Sequence, residues 1–276
     1  MCRAVDAELR DDDCAVDRHR SGEVQVRRAP AFEAFEVAKA GQQEEAGALH
    51  LAAQFAVIRG MQGRGDELAI AIEAAIEQHE ALPTWRCALA ALYADLGREP
   101  DARATFEELA VDDFALLPRD WDWLVAAQNL VQACTYLRDE RRAAVLYEQL
   151  EPFAGYFACS GWATVCVGSV SACLGNLAGV LERWDDSARH FGEAMRQCAT
   201  LDAHPFLAQT QLDFASMLLR RGEAVDALDL AEQAHAGAER IGMARLVRVA
   251  TDLKREAEAV LLPVQDAPGD PEVRPS

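Results

Sequence analysis

Apolar residues recur along the middle of the chain at the spacing of an α-helix. Ala227, Ala231, Ala234, Ala238 and Ile241 are separated by four, three, four and three positions, which places them on one helical face. Two earlier stripes have the same character: Trp85, Ala88, Leu89, Leu92 and Leu96, and then Leu124, Ala127, Val131 and Cys134. No segment sustains the alternation of period two that marks a half-buried strand. The pattern therefore predicts an all-α protein.

The predicted helices are paired by a recurring turn, at which a leucine is followed by a small residue and then by an aromatic one. The sets are Leu96, Ala102 and Phe106; Leu137, Ala143 and Tyr147; Leu181, Ser187 and Phe191. A fourth, longer turn leads to Ala227 and Ala231. Small residues let two helices cross closely. Because one such hairpin cannot bury its apolar face alone, we expect an α-α superhelix, a tetratricopeptide-like solenoid of stacked helix hairpins.

The two ends of the chain differ from this middle part. Residues 1–40 carry no helical stripe over most of their length and include the run Asp11-Asp12-Asp13, so we expect a poorly ordered or loosely attached segment. Residues 41–262 form the predicted solenoid, in which the stripe on the last helix, Met243 to Leu262, closes the stack. Residues 263–276 contain four prolines and are expected to be a disordered tail.

Charge and cysteine content exclude several classes of function. The formal net charge of −19 disfavours general nucleic-acid binding, because an acidic surface repels phosphate. The eight cysteines contain no C-x-x-C pair, so a zinc site is not expected. Cys159, Cys166 and Cys173 recur every seven residues, which predicts a shared helix face; small core residues are favoured there over a thiol relay. No secretion signal opens the sequence, which favours the cytoplasm.

The stretch from Pro152 to Leu181 has no charged residue and is long enough to raise the question of a membrane span. Its interior holds Thr164, Ser169, Ser171 and Asn176, which suit a buried central helix better than a lipid-facing one. We therefore predict a solenoid helix here and no membrane partner.

The chain lacks the sequence signatures of common catalytic sites. It has no phosphate loop, no dinucleotide-binding glycine motif, no H-E-x-x-H and no G-x-S-x-G. The histidines share no metal-ligand spacing, and His190 is predicted to be a surface or half-buried residue rather than a catalyst. We expect a non-enzymatic protein with no catalytic, cofactor-binding or metal-binding residues.

The most distinctive local run is Leu116 to Trp123, which precedes one of the predicted helices. Arg119, Trp121 and Trp123 form a candidate interaction surface, since exposed tryptophan and arginine are typical anchors of interfaces. The structural interpretation, which is favoured, has Asp120 capping the helix while at least one tryptophan packs between hairpins.

A series of short runs is distinctive by its order and spacing. In chain order the runs are Leu117-Pro118-Arg119-Asp120, Leu146-Tyr147, Pro152-Phe153-Ala154-Gly155, Gly168-Ser169-Val170, Leu174-Gly175, Arg183-Trp184-Asp185, His190-Phe191, Pro205-Phe206-Leu207-Ala208-Gln209-Thr210, Asp213-Phe214-Ala215 and Ile241-Gly242-Met243. Through these runs, residues 46–250 resemble the tetratricopeptide-like helical arm of large bacterial signal-transduction ATPases, which are common in actinobacteria. In that family the arm follows a nucleotide-binding module that is joined to an adenylate or guanylate cyclase domain or to a helix-turn-helix domain.

Two functional hypotheses follow. The first is a non-catalytic scaffold that offers the groove of its superhelix to a protein or peptide segment, in bacterial signalling or transcriptional regulation. The second, which the resemblance implies, is the regulatory arm of an ATP-binding cyclase-type or helix-turn-helix regulator. No nucleotide-binding residue of that family can be assigned to this sequence, because the sequence contains no phosphate loop. A solenoid that binds a small signal molecule is a third, lesser possibility.

Overall fold

The structure, a computed structural model, describes residues 28–78, 83–160 and 165–262. These residues form twelve α-helices and two short strands. The helices are α1 (Arg28–Ala40), α2 (Glu44–Gln62), α3 (Gly65–Gln78), α4 (Pro83–Asp95), α5 (Glu99–Leu109), α6 (Trp123–Leu137), α7 (Glu140–Leu150), α8 (Val170–Val180), α9 (Trp184–Thr200), α10 (His204–Arg221), α11 (Ala224–Arg240) and α12 (Ala244–Leu261). The strands are β1 (Phe157–Ser160) and β2 (Val165–Ser169), and single 3-10 turns lie at Val111–Phe114 and Glu151–Phe153.

The helices pair into consecutive hairpins that stack side by side. Helix α4 pairs with α5, α6 with α7, α8 with α9 and α10 with α11, and α12 packs on the last hairpin. We call the first helix of each hairpin, together with α12, a first helix, and its partner a second helix. The first helices contact one another in order, α4 with α6, α6 with α8, α8 with α10 and α10 with α12, so they form the inner layer of the stack. The predicted all-α superhelix of stacked hairpins is confirmed.

The small residues at the repeated turns are all completely buried. Ala102, Ala143, Ser187 and Ala227, the corresponding residues of the four second helices, each have 0% exposure. A close contact joins α8 to α9, where a Cβ added at Gly175 would lie 2.9 Å from the ring of Phe191. Each second helix therefore approaches its neighbours at the position that the sequence reserves for a small side chain.

Residues 151–160 and 165–169 depart from the helical plan. A 3-10 turn at Glu151–Phe153 leads into β1, which pairs antiparallel with β2. Among the described residues of the uncharged stretch, only those of α8, in its second half, form an α-helix. The predicted solenoid helix over Pro152 to Leu181 is thus wrong in its first half. Gly168, in β2, has φ +130, a conformation that glycine adopts readily, and the ladder continues past it to the pair of Phe157 with Ser169. The β-branched Val165 and Val167 favour a strand over a helix.

The cysteine pattern consequently has a different meaning from the one that its spacing predicted. Cys159 lies in β1 and Cys166 in β2, where they are directly opposite each other, and Cys173 lies in α8. The three residues share no helix face, because two of them are on paired strands. The bulge between Ala158 and Cys159 brings the two thiols into register.

His190 is more deeply buried than its sequence environment indicated. Its exposure is 5%, and its Nε2 lies 2.9 Å from the hydroxyl oxygen of Tyr147 on the preceding hairpin. Burial, and then the nearby Arg189, lower the pKa of the imidazole. The histidine links two hairpins as a neutral hydrogen-bonding group, which corrects the predicted surface or half-buried position.

The first and last parts of the described chain meet. Helix α12 contacts α2, and a Cβ added at Gly63 would lie 3.4 Å from Nη2 of Arg248 and 3.8 Å from Cβ of Arg245. Residues 28–40, which belong to the segment predicted to be poorly ordered, form α1 and pack on α2. The predictions for residues 1–27 and for the tail at 263–276 lie outside the described residues.

No helix in the described ranges combines the length with the apolar character that a bilayer span requires. Helix α8, which holds the second half of the uncharged stretch, has only 11 residues.

Candidate functional site

The paired strands β1 and β2 are called the β-hairpin below. A pocket of about 360 Å³ opens on the inner layer of the stack, between α2, α3, α4, α6 and the β-hairpin. Most of its wall is apolar. The apolar lining residues are Ala53, Ala56, Val57, Leu68, Ile72, Trp85, Ala88, Ala91, Leu92, Trp121, Val125, Val165 and Val167. A concave, largely apolar site with a few polar groups is the usual form of a ligand pocket.

The pocket follows α4 along one face. Thr84, Ala88, Ala91 and Asp95 line it at successive turns, so it extends about 16 Å along that helix at 1.5 Å per residue. Its polar groups lie at both ends of this length and midway along it. Thr84, Asp122 and Ser160 are near the start of α4 and α6, and Asn129 lies midway along α6. Asp95 ends α4 and accepts a hydrogen bond from Gln132, in the second half of α6.

At the end of the pocket near the start of α6, the β-hairpin is hydrogen-bonded to α6 and to the residue before it. The Ser160 hydroxyl donates a hydrogen bond of 2.6 Å to Oδ1 of Asp122. On the other side of the hairpin, the side-chain amide of Gln128 donates to the backbone carbonyl of Val167. These two contacts hold both strands against α6, which explains how a short two-stranded ladder keeps its place beside the pocket.

At the opposite end, polar side chains form a chain that crosses the inner layer. Gln132 donates to Asp95 at 2.6 Å, and Nη1 of Arg245 lies 3.3 Å from the same carboxylate oxygen. Nη2 of Arg245 donates to Gln209 at 2.8 Å, and Gln209 donates to Asp213 at 2.8 Å. The chain ends where Asn176 donates to Asp213 at 3.2 Å. We call these six residues the polar chain.

The polar chain takes a member from every first helix between α4 and α12, namely α4, α6, α8, α10 and α12. It therefore joins helices that are far apart in sequence, since Asp95 and Arg245 are separated by 150 residues. This contact, together with the packing of α12 on α2, brings the C-terminal hairpins to the N-terminal side of the stack.

The electrostatics of the polar chain are unbalanced. Burial raises the pKa of Asp213 to about 6, although hydrogen bonds from Gln209 and Asn176 oppose that change. Burial also raises the pKa of Asp95, even though 29% of its side-chain surface remains exposed, because protein atoms surround a carboxylate at the bottom of a concave surface. The single guanidinium of Arg245 lowers both pKa values. One cation thus serves two carboxylates.

Of the three residues predicted as a candidate interaction surface, the structure brings Arg119 and Trp123 together and separates Trp121 from them. Trp123 begins α6, has 6% exposure and packs on Phe153 with ring centroids 5.4 Å apart. The guanidinium of Arg119 lies 3.9 Å from the Trp123 ring, and burial lowers its pKa. Trp121, in contrast, has 74% exposure and lies at the edge of the pocket.

The predicted helix cap also differs in detail. Asp122, not Asp120, is the residue before the first turn of α6, and its side chain makes no capping hydrogen bond. Asp120 instead accepts a hydrogen bond of 3.0 Å from the backbone N–H of Asp122, in a turn that precedes the helix.

Sequence reasoning did not single out the polar chain. A signal exists, because Asp95 and Gln132 are 37 residues apart, as are Asn176 and Asp213, and all four lie on first helices. This repeated separation between polar residues is readable once the helices are aligned. The partnership of Asp95 with Arg245 has no such signal.

Metal binding has no visible site in the described ranges, which hold no group of three or more histidine, cysteine, aspartate or glutamate residues placed to bind an ion.

No protein-family model matches the chain. No curated protein is significantly similar to it. Among solved structures, the chain is similar to a tetratricopeptide repeat protein from Parabacteroides merdae ATCC 43184, with a TM-score of 0.40 and 15% identity over 84% of this chain and 94% of that chain. A similarity at this level carries no argument about function.

Proposed function

We propose that this protein is a non-catalytic helical-repeat scaffold that binds a protein or peptide segment on the inner layer of its superhelix. The observation that carries the proposal is the open apolar pocket beside Trp121. An indole with 74% exposure at the edge of an apolar cavity has the position of an interface anchor, since aromatic residues next to pockets dominate many binding surfaces.

The experiment is a selection of peptides from a displayed random library against the whole protein. We expect a shared motif among the selected peptides and a loss of at least about tenfold in affinity for Trp121→Ala, as truncation of an anchor residue predicts. Tyr156→Ala is the matched control, because Tyr156 is an exposed aromatic residue, at 61%, that does not line the pocket. Thermal melts of both variants should match the wild-type melt, since neither side chain is buried.

Two results would contradict the scaffold proposal. One is a library from which no motif emerges. The other is a motif whose binding is unchanged in Trp121→Ala, which would place the peptide elsewhere on the surface.

The biological setting of this scaffold is proposed from sequence alone. The similarity of residues 46–250 to the helical arm of bacterial signal-transduction ATPases supports a role in cytoplasmic signalling or transcriptional regulation. It also supports the second candidate, the regulatory arm of an ATP-binding cyclase-type or helix-turn-helix regulator. Reading the DNA upstream of Met1 separates the two, because an in-frame phosphate loop there supports the regulatory arm and its absence supports a free scaffold.

A further inference from the structure

The described side chains that line the pocket and carry a full charge are all carboxylates. The lining residues include two carboxylates, Asp95 and Asp122, at opposite ends, and His50. No lysine or arginine is among the described residues that line it. The chain as a whole has a formal net charge of −19, so the field outside the pocket has the same sign. An anionic ligand would meet repulsion at both ends.

At one end of the pocket, Asp95 is ion-paired with a guanidinium that a second carboxylate, Asp213, also uses. Asp95 and Asp213 share Arg245, which also donates to Gln209. The contact of Asp95 with Arg245 is long, at 3.3 Å, and it uses the carboxylate oxygen that already accepts from Gln132. A carboxylate that faces an apolar cavity is more favourable with a cation beside it than without one.

Indole rings occupy the other end. Trp85 and Trp121 line the pocket near the start of α4 and α6, next to Asp122. Tryptophan is the aromatic side chain that best attracts a cation over its face.

We propose that this pocket binds a small organic cation with an apolar body, such as an alkylammonium compound. The apolar walls accept the body, and the indoles with Asp122, or Asp95 at the far end, accept the charged group. The volume of about 360 Å³ lies within the range of small-ligand sites. The inference rests on the proposed function only in that the pocket is open to a ligand; it names the chemistry that the pocket selects.

The test is calorimetric titration of the full chain with three probes of equal length and different charge, hexyltrimethylammonium chloride, 1-hexanol and sodium hexanoate. We expect the cation to bind at least about tenfold more tightly than the alcohol, and hexanoate to show no measurable binding. Affinity for the cation should fall as salt rises, because screening weakens attraction between charges.

Variants assign the effect to the pocket. Asp95→Asn and Asp122→Asn should each weaken cation binding several-fold and leave hexanol binding unchanged. Trp85→Leu should weaken the cation more than the alcohol. Asp252→Asn is the matched control, since Asp252 is 65% exposed on α12, pairs with Arg255 and lies outside the pocket. Circular dichroism checks that each variant is folded; if Asp95→Asn unfolds, Asp122→Asn and Trp85→Leu decide the question.

The inference is overturned if no probe binds, if the three probes bind equally, or if cation affinity is the same in all the variants. Its failure is distinct from failure of the scaffold. A peptide motif lost in Trp121→Ala without any preference for the cation would leave the scaffold standing and remove the cation site. Cation binding without a peptide motif would support the cation site and contradict the scaffold.

Discussion

The outer and inner sides of the stack are built on different principles. On the outer side, each second helix presents a small residue at the same place, and Ala102, Ala143, Ser187 and Ala227 are all fully buried. On the inner side, the amide-to-carboxylate contact of the polar chain occurs twice, from Gln132 to Asp95 and from Asn176 to Asp213. The link from Arg245 to Asp95 has no counterpart in the polar chain, and β1 lies against α6 and β2 against α8. Repeated contacts therefore provide the packing, and the features that do not repeat, the Asp95–Arg245 contact and the β-hairpin, lie beside the pocket.

The outer and inner contacts also differ in how they contribute to stability. The outer contacts are apolar and close, so their loss is expected to destabilise the whole stack. The inner contacts are polar and hold carboxylates at a cost in desolvation, so they are expected to make stability depend on pH. The three predictions below test these expectations, from the largest effect to the smallest.

The largest effect is expected on the outer side, from Phe191→Ala. Phe191 is fully buried, contacts Gly175 and stacks on Phe214 with centroids 5.2 Å apart. Removing the ring should lower the free energy of unfolding by about 3–5 kcal/mol, because the backbone contact at the glycine prevents collapse of the cavity. Urea denaturation measures the change. Leu201→Ala, at a position with 61% exposure, should stay within about 0.5 kcal/mol. Similar losses in both variants would contradict the packing described.

A second effect is expected on the inner side, from Asp213→Asn. The folded-state pKa of Asp213 is raised from 3.8 to about 6, so the folded protein holds a proton that the unfolded chain releases. The stability that this provides is fully present below pH 3.8 and is lost as the pH rises to about 6. The loss is at most about 3 kcal/mol, from 1.36 kcal/mol per pKa unit.

Urea denaturation at pH 4 and pH 7 measures this effect. The difference in stability between the wild type and Asp213→Asn should favour the wild type more at pH 4 than at pH 7. Asp252→Asn, which alters an exposed aspartate paired with Arg255, should show no such change. A difference that is independent of pH would mean that burial does not raise the pKa of Asp213.

The smallest perturbation tests the register of the β-hairpin without any substitution. Residues directly opposite on antiparallel strands have Cα atoms about 4.5–5.5 Å apart, within the range of a disulfide. Residues seven apart on a helix are about 10 Å apart and cannot be linked. Mild oxidation with diamide, which takes up the two hydrogens of the thiols, should therefore join Cys159 to Cys166 and lower the mass by two hydrogens.

Mass spectrometry of the digested protein identifies the link. Burial raises the pKa of Cys87, Cys134 and Cys173 to about 12, so these thiols should stay reduced under the same conditions. Burial raises the pKa of Cys166 to about 11, and the reaction should accordingly be slow and faster at higher pH. A link from Cys166 to Cys198, or none at all, would contradict the register.

Several local features were readable in advance because each depends on neighbours in sequence. Gly97 has φ +69 just after α4, where glycine commonly ends a helix, and Pro100 lies in the first turn of α5, where proline is favoured. The hairpin was missed because its strands are short and follow a 3-10 turn, and because their uncharged composition suits a buried helix equally well. Periodicity alone does not separate the two.

The candidate residues show the same division. The prediction that at least one tryptophan of the run packs inside agrees with the position of Trp123, whereas nothing in the run itself shows that Trp121 faces outward beside a cavity. That cavity needs α2, α3, α4 and the hairpin at once. A pocket formed by segments far apart in the chain has no local signature.

The amino-acid sequence by itself determined the helices, their pairing into hairpins and the small residue at which each pair crosses, because turn preferences, helical periodicity and side-chain size act over a few residues. Only the tertiary structure decided that Arg245 meets Asp95 across 150 residues, that two cysteines face each other on paired strands and that the acidic and indole groups surround one cavity. Those pairings depend on the accumulated rotation from hairpin to hairpin, which small differences in packing at every contact set together.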